Sequence, residues 1–218
     1  MASNRDEFLN RPTSPSHFWE EHPQILAGKD QVGGGTWLGM TKTGKFAALT
    51  NFRDPSNIKT NAPSRGELVM DFLKKEVSPQ DYLKKIQEKG AAYNGFNLLV
   101  GNVDELYWYS NYGQEIQKVN DGVHGLCNSL LNTSWPKVEK GKKALEGIVK
   151  KEQNITFETL EAILQDKNLA PDEDLPNTGL TYEREKALSS IFIDTQGYGT
   201  SSSGVLLVDH SNRISYKE

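Results

Sequence analysis

The chain has 218 residues, of which 36% are hydrophobic and 25% charged, a balance that favours one folded domain over residues 1–218 and excludes a disordered chain. The formal net charge of −4 argues against a nucleic-acid partner, which usually requires a basic face, and no apolar run approaches the roughly 20 residues of a transmembrane segment. The polar start does not resemble a signal peptide and the single cysteine, Cys127, suits a reducing compartment, so we predict a cytoplasmic protein.

The first candidate site is an N-terminal run of four polar side chains before an aromatic residue: Asn4, Arg5, Asp6, Glu7 and Phe8. Prolines at positions 12 and 15 follow without a helical period, so we predict a loop leaving a strand. Adjacent opposite charges can orient one another and a ligand. The run is therefore either a ligand-binding cluster or a solvated N-terminal tail.

Residues 9–32 are predicted to be irregular because prolines interrupt them. Within them, His17 and His22 flank two glutamates, and a helix that placed both imidazoles on one face could bind a metal ion. Pro15 and Pro23 leave little room for such a helix. We therefore expect surface histidines and predict no metal site.

A triple glycine at positions 33–35 precedes a predicted hairpin, with strands at 36–40 and 45–51. Glycines let another chain or a ligand approach the backbone closely, and the pattern does not match a phosphate-binding loop. We predict that four residues of this turn bind a ligand: Gly34, Gly35, Thr36 and Trp37.

Asn51 ends the second strand of this hairpin, and Arg53 follows it. A polar side chain at a strand end beside a glycine-rich turn is a plausible pocket position. The alternative is an asparagine that starts a turn. We take Asn51 and Arg53 as candidate site residues.

The rest of the chain alternates blocks of helices and strands. Helices are predicted at 65–75 (with a Ser64–Glu67 capping box), 78–89, 137–151, 156–166 and 183–188, and strands at 93–100, 105–111, 117–119, 122–128, 190–194, 205–209 and 214–216. Loops are predicted at 167–181 and 197–204. This order predicts an α+β fold and suits a four-layer αββα sandwich.

Three other features have two interpretations each. Consecutive aromatic residues at 107–109, including Trp108, could line an apolar pocket but are typical of a strand core. Cys127 lacks a local base and is better explained as buried and inert than as a reactive thiol. The serines at 201–203 lack a nucleophile-elbow motif and more plausibly bond backbone groups or a ligand.

Several motifs in this order resemble the NRDE family, the Transport and Golgi organization protein 2 homologues. They are NRDEF at 4–8, RPT at 11–13, AGKD at 27–30, GGTWLG at 34–39, TNFRDP at 50–55, SRGELV at 64–69, YNGFNL at 93–98, SSIF at 189–192 and YGT at 198–200. The resemblance implies an αββα fold similar to N-terminal-nucleophile (Ntn) hydrolases. It also implies links to Golgi organisation, secretion, mitochondria and haem mobilisation in eukaryotic members.

One departure from this family is the start of the chain. Family members typically begin with a Met-Cys strand before the NRDE motif, so the first strand is apparently missing here, and removal of Met1 would expose Ala2, which is not a nucleophile. By similarity to cysteine Ntn amidases, Asp6 would orient the nucleophile and Asn51 would donate to an oxyanion, whereas Ser3 stands where those amidases place an arginine.

Two functions follow from the resemblance. The first is binding of a small or amphipathic molecule, with haem trafficking as one such role, through Trp37, Trp108 and nearby aromatic residues, with no resident cofactor. The alternative is an Ntn-type hydrolase of amide C–N bonds whose N-terminal cysteine is absent from this sequence. In that case, the polar cluster at 4–7 and Asn51 would border one pocket. Whether the chain is an enzyme stays open at this point.

Overall fold

The polar run at the N-terminus forms a β-strand in the computed structural model, which describes residues 1–150 and 155–218. The strands are β1 Ala2–Phe8, β2 Thr13–Trp19, β3 His22–Asp30, β4 Leu38–Thr41, β5 Phe46–Asn51, β6 Phe96–Gly101, β7 Leu106–Ser110, β8 Ile116–Lys118, β9 Tyr198–Val208 and β10 Ile214–Lys217. The helices are α1 Gly66–Lys74, α2 Pro79–Lys89, α3 Pro136–Lys150, α4 Phe157–Leu164 and α5 Tyr182–Ala187. The α+β class is therefore confirmed.

The chain folds into two units, and each is described by itself. The central unit contains Arg11–Asp121 and Cys127–Leu130, and the terminal unit contains Met1–Asn10, Gly122–Leu126 and Leu131–Glu218. One domain over residues 1–218 stays a prediction.

The central unit is a seven-stranded antiparallel sheet in which β2 to β8 pair in chain order. α1 and α2 pack on this sheet. Their apolar residues are spaced three to four apart, so each helix presents one stripe to the sheet. The core includes Phe72, Leu83, Ile86, Phe96 and Leu98, each at most 1% exposed.

The terminal unit is a three-stranded antiparallel sheet in the order β1-β9-β10. α4 packs against β1 and β9, and α3 packs against α4. Leu160, Leu164 and Val205 form the buried centre of this unit. Since β1 and β9 come from opposite ends of the sequence, their pairing closes the unit.

The predicted loop at 4–8 and the predicted loop at 197–204 are both wrong, and for one reason. The two segments pair with each other from Ala2–Val205 to Phe8–Tyr198, with a register shift between Arg5 and Asp6. Each segment is too polar to look like a core strand on its own. Hydroxyl side chains on β9 bond polar groups of β1, which makes a polar pair of strands stable.

The irregular segment predicted at 9–32 is also wrong, because β2 and β3 form a hairpin there. Pro15 is tolerated because β2 lies at an edge of the sheet and its ladder is irregular between Ser14 and His17.

Two predicted strands, at 122–128 and 190–194, are not strands. Gly122 has a φ of +140°, and the backbone of Gly125 bonds Asn132 instead of a neighbouring strand. In the second segment a single bridge joins Asp194 to Gly199, and Ser190 bonds Phe192.

The helix predictions are confirmed to within two residues at each end, except that the predicted end of the third helix, at Lys151, lies outside the described residues. Ser78 caps α2, where its hydroxyl accepts the Asp81 N–H at 3.1 Å. The capping box at Ser64 is wrong: α1 has no side-chain cap, and the Glu67 carboxylate accepts a hydrogen bond from Tyr93 instead.

Candidate functional site

The predicted site residues of the central unit lie at the end of β5. The β4–β5 pairing places Leu38 opposite Ala48, and the Leu49 N–H bonds the Trp37 carbonyl at 2.8 Å. The glycine turn that precedes Trp37 therefore runs towards the part of β5 that ends at Asn51. The structure thus brings Gly34, Gly35, Thr36 and Trp37 to the same region of the sheet as Asn51 and Arg53.

Asp30 organises the glycine turn. Its carboxylate accepts two hydrogen bonds from the backbone of Val32 and Gly33, and a bidentate pair from Arg11 whose shortest distance is 2.8 Å. Burial raises the pKa of Asp30, whereas the hydrogen bonds from Arg11, Gly33 and Val32 lower it. The hydrogen bonds together have the larger effect, so the pKa of Asp30 lies below its usual range. The carboxylate is therefore charged at neutral pH and holds the turn in one conformation.

The glycine turn packs closely against the start of α1 at Gly35. A Cβ added at Gly35 would lie 2.5 Å from the carbonyl carbon of Gly66, and the Thr36 N–H bonds the Gly66 carbonyl. Gly34 has a φ of +70°, where a hypothetical Cβ meets open space. Gly34 therefore leaves its backbone accessible, whereas Gly35 is used for internal packing.

The side chains of Thr36 and Trp37 make contacts within the central unit. The Thr36 side chain is 2% exposed and its hydroxyl bonds the backbone of Leu38. Trp37 is half-buried, and its ring lies against Gly28, where a Cβ would collide with it.

Asn128 joins the site and is a residue that the sequence did not indicate. Its Nδ2 donates to the Asn51 carbonyl at 3.0 Å, and its own carbonyl accepts the Arg53 N–H at 2.7 Å. Asn51 is exposed and Arg53 is half-buried, and this link joins the backbone of both residues to Asn128. The only local signal was the Asn-Ser pair after Cys127.

An aromatic pair follows the end of β5. The rings of Phe52 and Tyr112 stack with centroids 4.0 Å apart and planes 14° from parallel. The Tyr112 hydroxyl donates to Asp54 at 2.6 Å, and burial together with this bond raises the pKa of Tyr112 to about 12. The hydroxyl therefore stays protonated at neutral pH, and the pair forms a fixed apolar surface beside Arg53.

The predicted residues of the terminal unit lie on β1. The Asp6 carboxylate accepts the Thr200 hydroxyl at 2.7 Å, and the Asp6 carbonyl accepts the Tyr198 hydroxyl. Arg5, whose side chain is 9% exposed, donates to Ser201 and lies 3.9 Å from Glu7. Asp6 is therefore held in a defined orientation by β9.

Asn4 has a structural role in the terminal unit. Its Nδ2 donates to the carbonyls of Leu164 and Ile191, at 2.9 and 3.0 Å, and its Oδ1 accepts the Ser203 hydroxyl. Because Leu164 is the last residue of α4, Asn4 satisfies a helix-terminal carbonyl. A ligand-binding role for Asn4 stays a prediction.

The remaining candidates are placed as follows. Trp108 is 4% exposed and donates its Nε1–H to Asn97, so it belongs to the core. Cys127 is half-buried and its carbonyl accepts the Thr50 hydroxyl. Within residues 1–150 and 155–218, no group of three or more His, Cys, Asp and Glu side chains could hold a metal ion. In the same ranges no helix has the length and apolar character needed to cross a membrane.

Comparison with known sequences matches the whole chain to one family. The model of the family described as Transport and Golgi organisation 2 matches residues 1–218. The Transport and Golgi organization protein 2 homologues of Bos taurus and Homo sapiens are each 35% identical over 234 residues, which is all of this chain and 84% of the relative. The Drosophila melanogaster protein is 28% identical over 242 residues, again with 84% of its length covered.

Among solved structures, the fold is similar to a Caenorhabditis elegans orthologue of N-acylethanolamine-hydrolysing acid amidase. The TM-score is 0.48 at 11% identity, and the match covers 75% of this chain and 79% of that one. A likeness at this level supports no argument about function.

Proposed function

The chain belongs to the Transport and Golgi organisation 2 family, and from that premise we propose that it binds a small amphipathic molecule at the end of β5. Haem is the first compound to test, because it joins a large apolar ring to two carboxylates.

The observation that carries this proposal is the chemistry assembled in a few residues at this edge. Arg53 supplies a cation suited to a carboxylate, Asn51 and Asn128 supply amides, and the Phe52–Tyr112 pair supplies a flat apolar surface. Hydrogen bonds hold the backbone of Asn51, Phe52 and Arg53 and the Tyr112 hydroxyl before a ligand arrives, which lowers the entropic cost of binding.

The test is a haem titration followed by absorbance, with Arg53→Ala and a matched control, Arg213→Ala. Arg213 is an exposed arginine of the terminal unit that pairs with Asp209. We expect a saturable shift for the parent and the control, and about tenfold weaker binding for Arg53→Ala through the loss of a charged hydrogen bond. The absence of a saturable shift, or equal affinity in all three proteins, would contradict the proposal.

A second candidate function is hydrolysis of an amide C–N bond, and the observation that favours it is the fixed orientation of Asp6 by Thr200. The chemistry needs an N-terminal nucleophile with a free α-amine, and the sequence begins Met1-Ala2. The test of this candidate therefore has to supply such a nucleophile.

This second function is tested by adding a Met-Cys strand ahead of Asn4, then assaying amide substrates and labelling with a thiol probe. We expect turnover that Asp6→Asn reduces and Asp209→Asn does not. If the extended protein shows neither turnover nor labelling at the new N-terminus, this candidate is eliminated.

The other expectations stay predictions. They are the cytoplasmic location, the part in Golgi organisation or secretion that the relatives' names carry, the four-layer arrangement, and a pocket bordered by both Asn51 and the β1 cluster.

A further inference from the structure

We infer that Asn97 is a positioning residue for the proposed binding edge: it holds residues 127–130 so that Asn128 stays against the end of β5. The inference rests on the proposed function for its biological meaning, but the geometry that supports it lies wholly within the central unit.

Asn97 is a buried polar residue in the middle of an apolar sheet. It lies on β6 and is 0% exposed, whereas an asparagine in a strand core would ordinarily be costly. Its Oδ1 accepts the Trp108 indole N–H at 3.2 Å. Its Nδ2 lies 2.9 Å from the Ser129 carbonyl and 3.1 Å from the Thr50 hydroxyl.

The bonds of Asn97 and Thr50 enclose one residue of the loop. Thr50 donates its hydroxyl to the Cys127 carbonyl at 2.8 Å, and Asn97 donates to the Ser129 carbonyl. Asn128 lies between these two carbonyls. Hydrogen bonds therefore fix the loop at the residue immediately before Asn128 and at the residue immediately after it.

Asn128 then passes this constraint to the site through its two bonds to Asn51 and Arg53. The segment at 127–130 forms no strand pairing of its own. Without Asn97, the segment would keep the Thr50 bond at Cys127 and the two bonds of Asn128 but would lose the bond that holds the Ser129 carbonyl. A buried, hydrogen-bonded asparagine thus selects one loop position, a role that an apolar residue could not perform.

The experiment measures amide hydrogen exchange in the free protein. The reporter is the Arg53 N–H, which bonds the Asn128 carbonyl, and the reference is the Leu49 N–H of β5, which bonds the Trp37 carbonyl. We compare the parent with Asn97→Ala and with Trp108→Phe, which removes the indole donor but leaves the Asn97 amide on the loop. Thr50→Val, which keeps a similar side-chain shape but removes the hydrogen bond to the Cys127 carbonyl, provides a second variant if Asn97→Ala does not fold.

If Asn97 positions the loop, exchange at Arg53 rises about tenfold or more relative to Leu49 in Asn97→Ala and rises also in Thr50→Val. In Trp108→Phe, the two amides change together. If Asn97 serves only core stability, Arg53 and Leu49 change by equal factors in every variant, and the inference is overturned.

Haem titration of the same variants separates this inference from the proposed function. A positioning role predicts weaker haem binding in Asn97→Ala than in Trp108→Phe at equal stability. A parent that does not bind haem removes the proposed ligand, while the exchange result still decides whether Asn97 positions the loop.

Discussion

Replacing Gly35 by alanine tests how the glycine turn is built. The new Cβ would lie 2.5 Å from the Gly66 carbonyl carbon, 2.6 Å from its oxygen and 2.9 Å from the Glu67 nitrogen. All three atoms belong to the backbone at the start of α1, so the collision cannot be relieved by a side-chain rotation. We expect a loss of about 3 kcal/mol in the free energy of unfolding, the upper part of the range for overpacking.

The matched control is Gly34→Ala, one residue earlier. Its Cβ would meet nothing within 4 Å, and only the φ of +70° penalises it, at about 1 kcal/mol. Urea unfolding followed by circular dichroism measures both variants. If Gly34→Ala costs as much as Gly35→Ala, packing of the turn on α1 is not what requires the glycine, and our reasoning on this turn is refuted.

Three further predictions concern stability. Asn4→Ala removes three side-chain hydrogen bonds within the terminal unit and should cost about 2 kcal/mol in urea unfolding; an unchanged midpoint would contradict that role. Ser78→Ala should cost about 1 kcal/mol and Ser64→Ala under about 0.5 kcal/mol, because Ser78 caps α2 whereas Ser64 does not cap α1; equal losses would contradict the assignment. The pKa of Asp30 is lowered by folding, so its contribution is present above the unfolded pKa of about 4 and is lost as the pH falls through the lower folded value. The difference in unfolding free energy between the parent and Asp30→Asn should therefore be largest near pH 7 and should shrink as the pH falls below about 4. A difference that does not depend on pH would contradict this prediction.

Local signals were sufficient for the elements that depend on neighbouring residues. Ser78 followed by Pro79 predicted the start of α2 because a cap and an N1 proline act within one turn. The hairpin of β4 and β5 followed from a short turn between apolar strands. These elements form from contacts that a short stretch of sequence contains.

Pairing between distant residues was not predictable in the same way. β1 bonds β9 across 196 positions between Arg5 and Ser201, and β1 and the polar first part of β9 are not apolar enough to be recognised alone. The same limit applies to the site, because Asn128 contacts Asn51 across 77 positions. The triple glycine and the strand-end position indicated the glycine turn and Asn51, whereas the loop that supports Asn51 was revealed only by the fold.

The central claim is that the end of β5 is a ligand-binding edge, and amide chemical-shift mapping tests it most directly. Diamagnetic zinc protoporphyrin would be titrated into the isotopically labelled protein. The account predicts saturable shifts at residues 34–37 and 51–54, with β10 unaffected. Saturable shifts confined to other residues, or none at any protoporphyrin concentration, would contradict it.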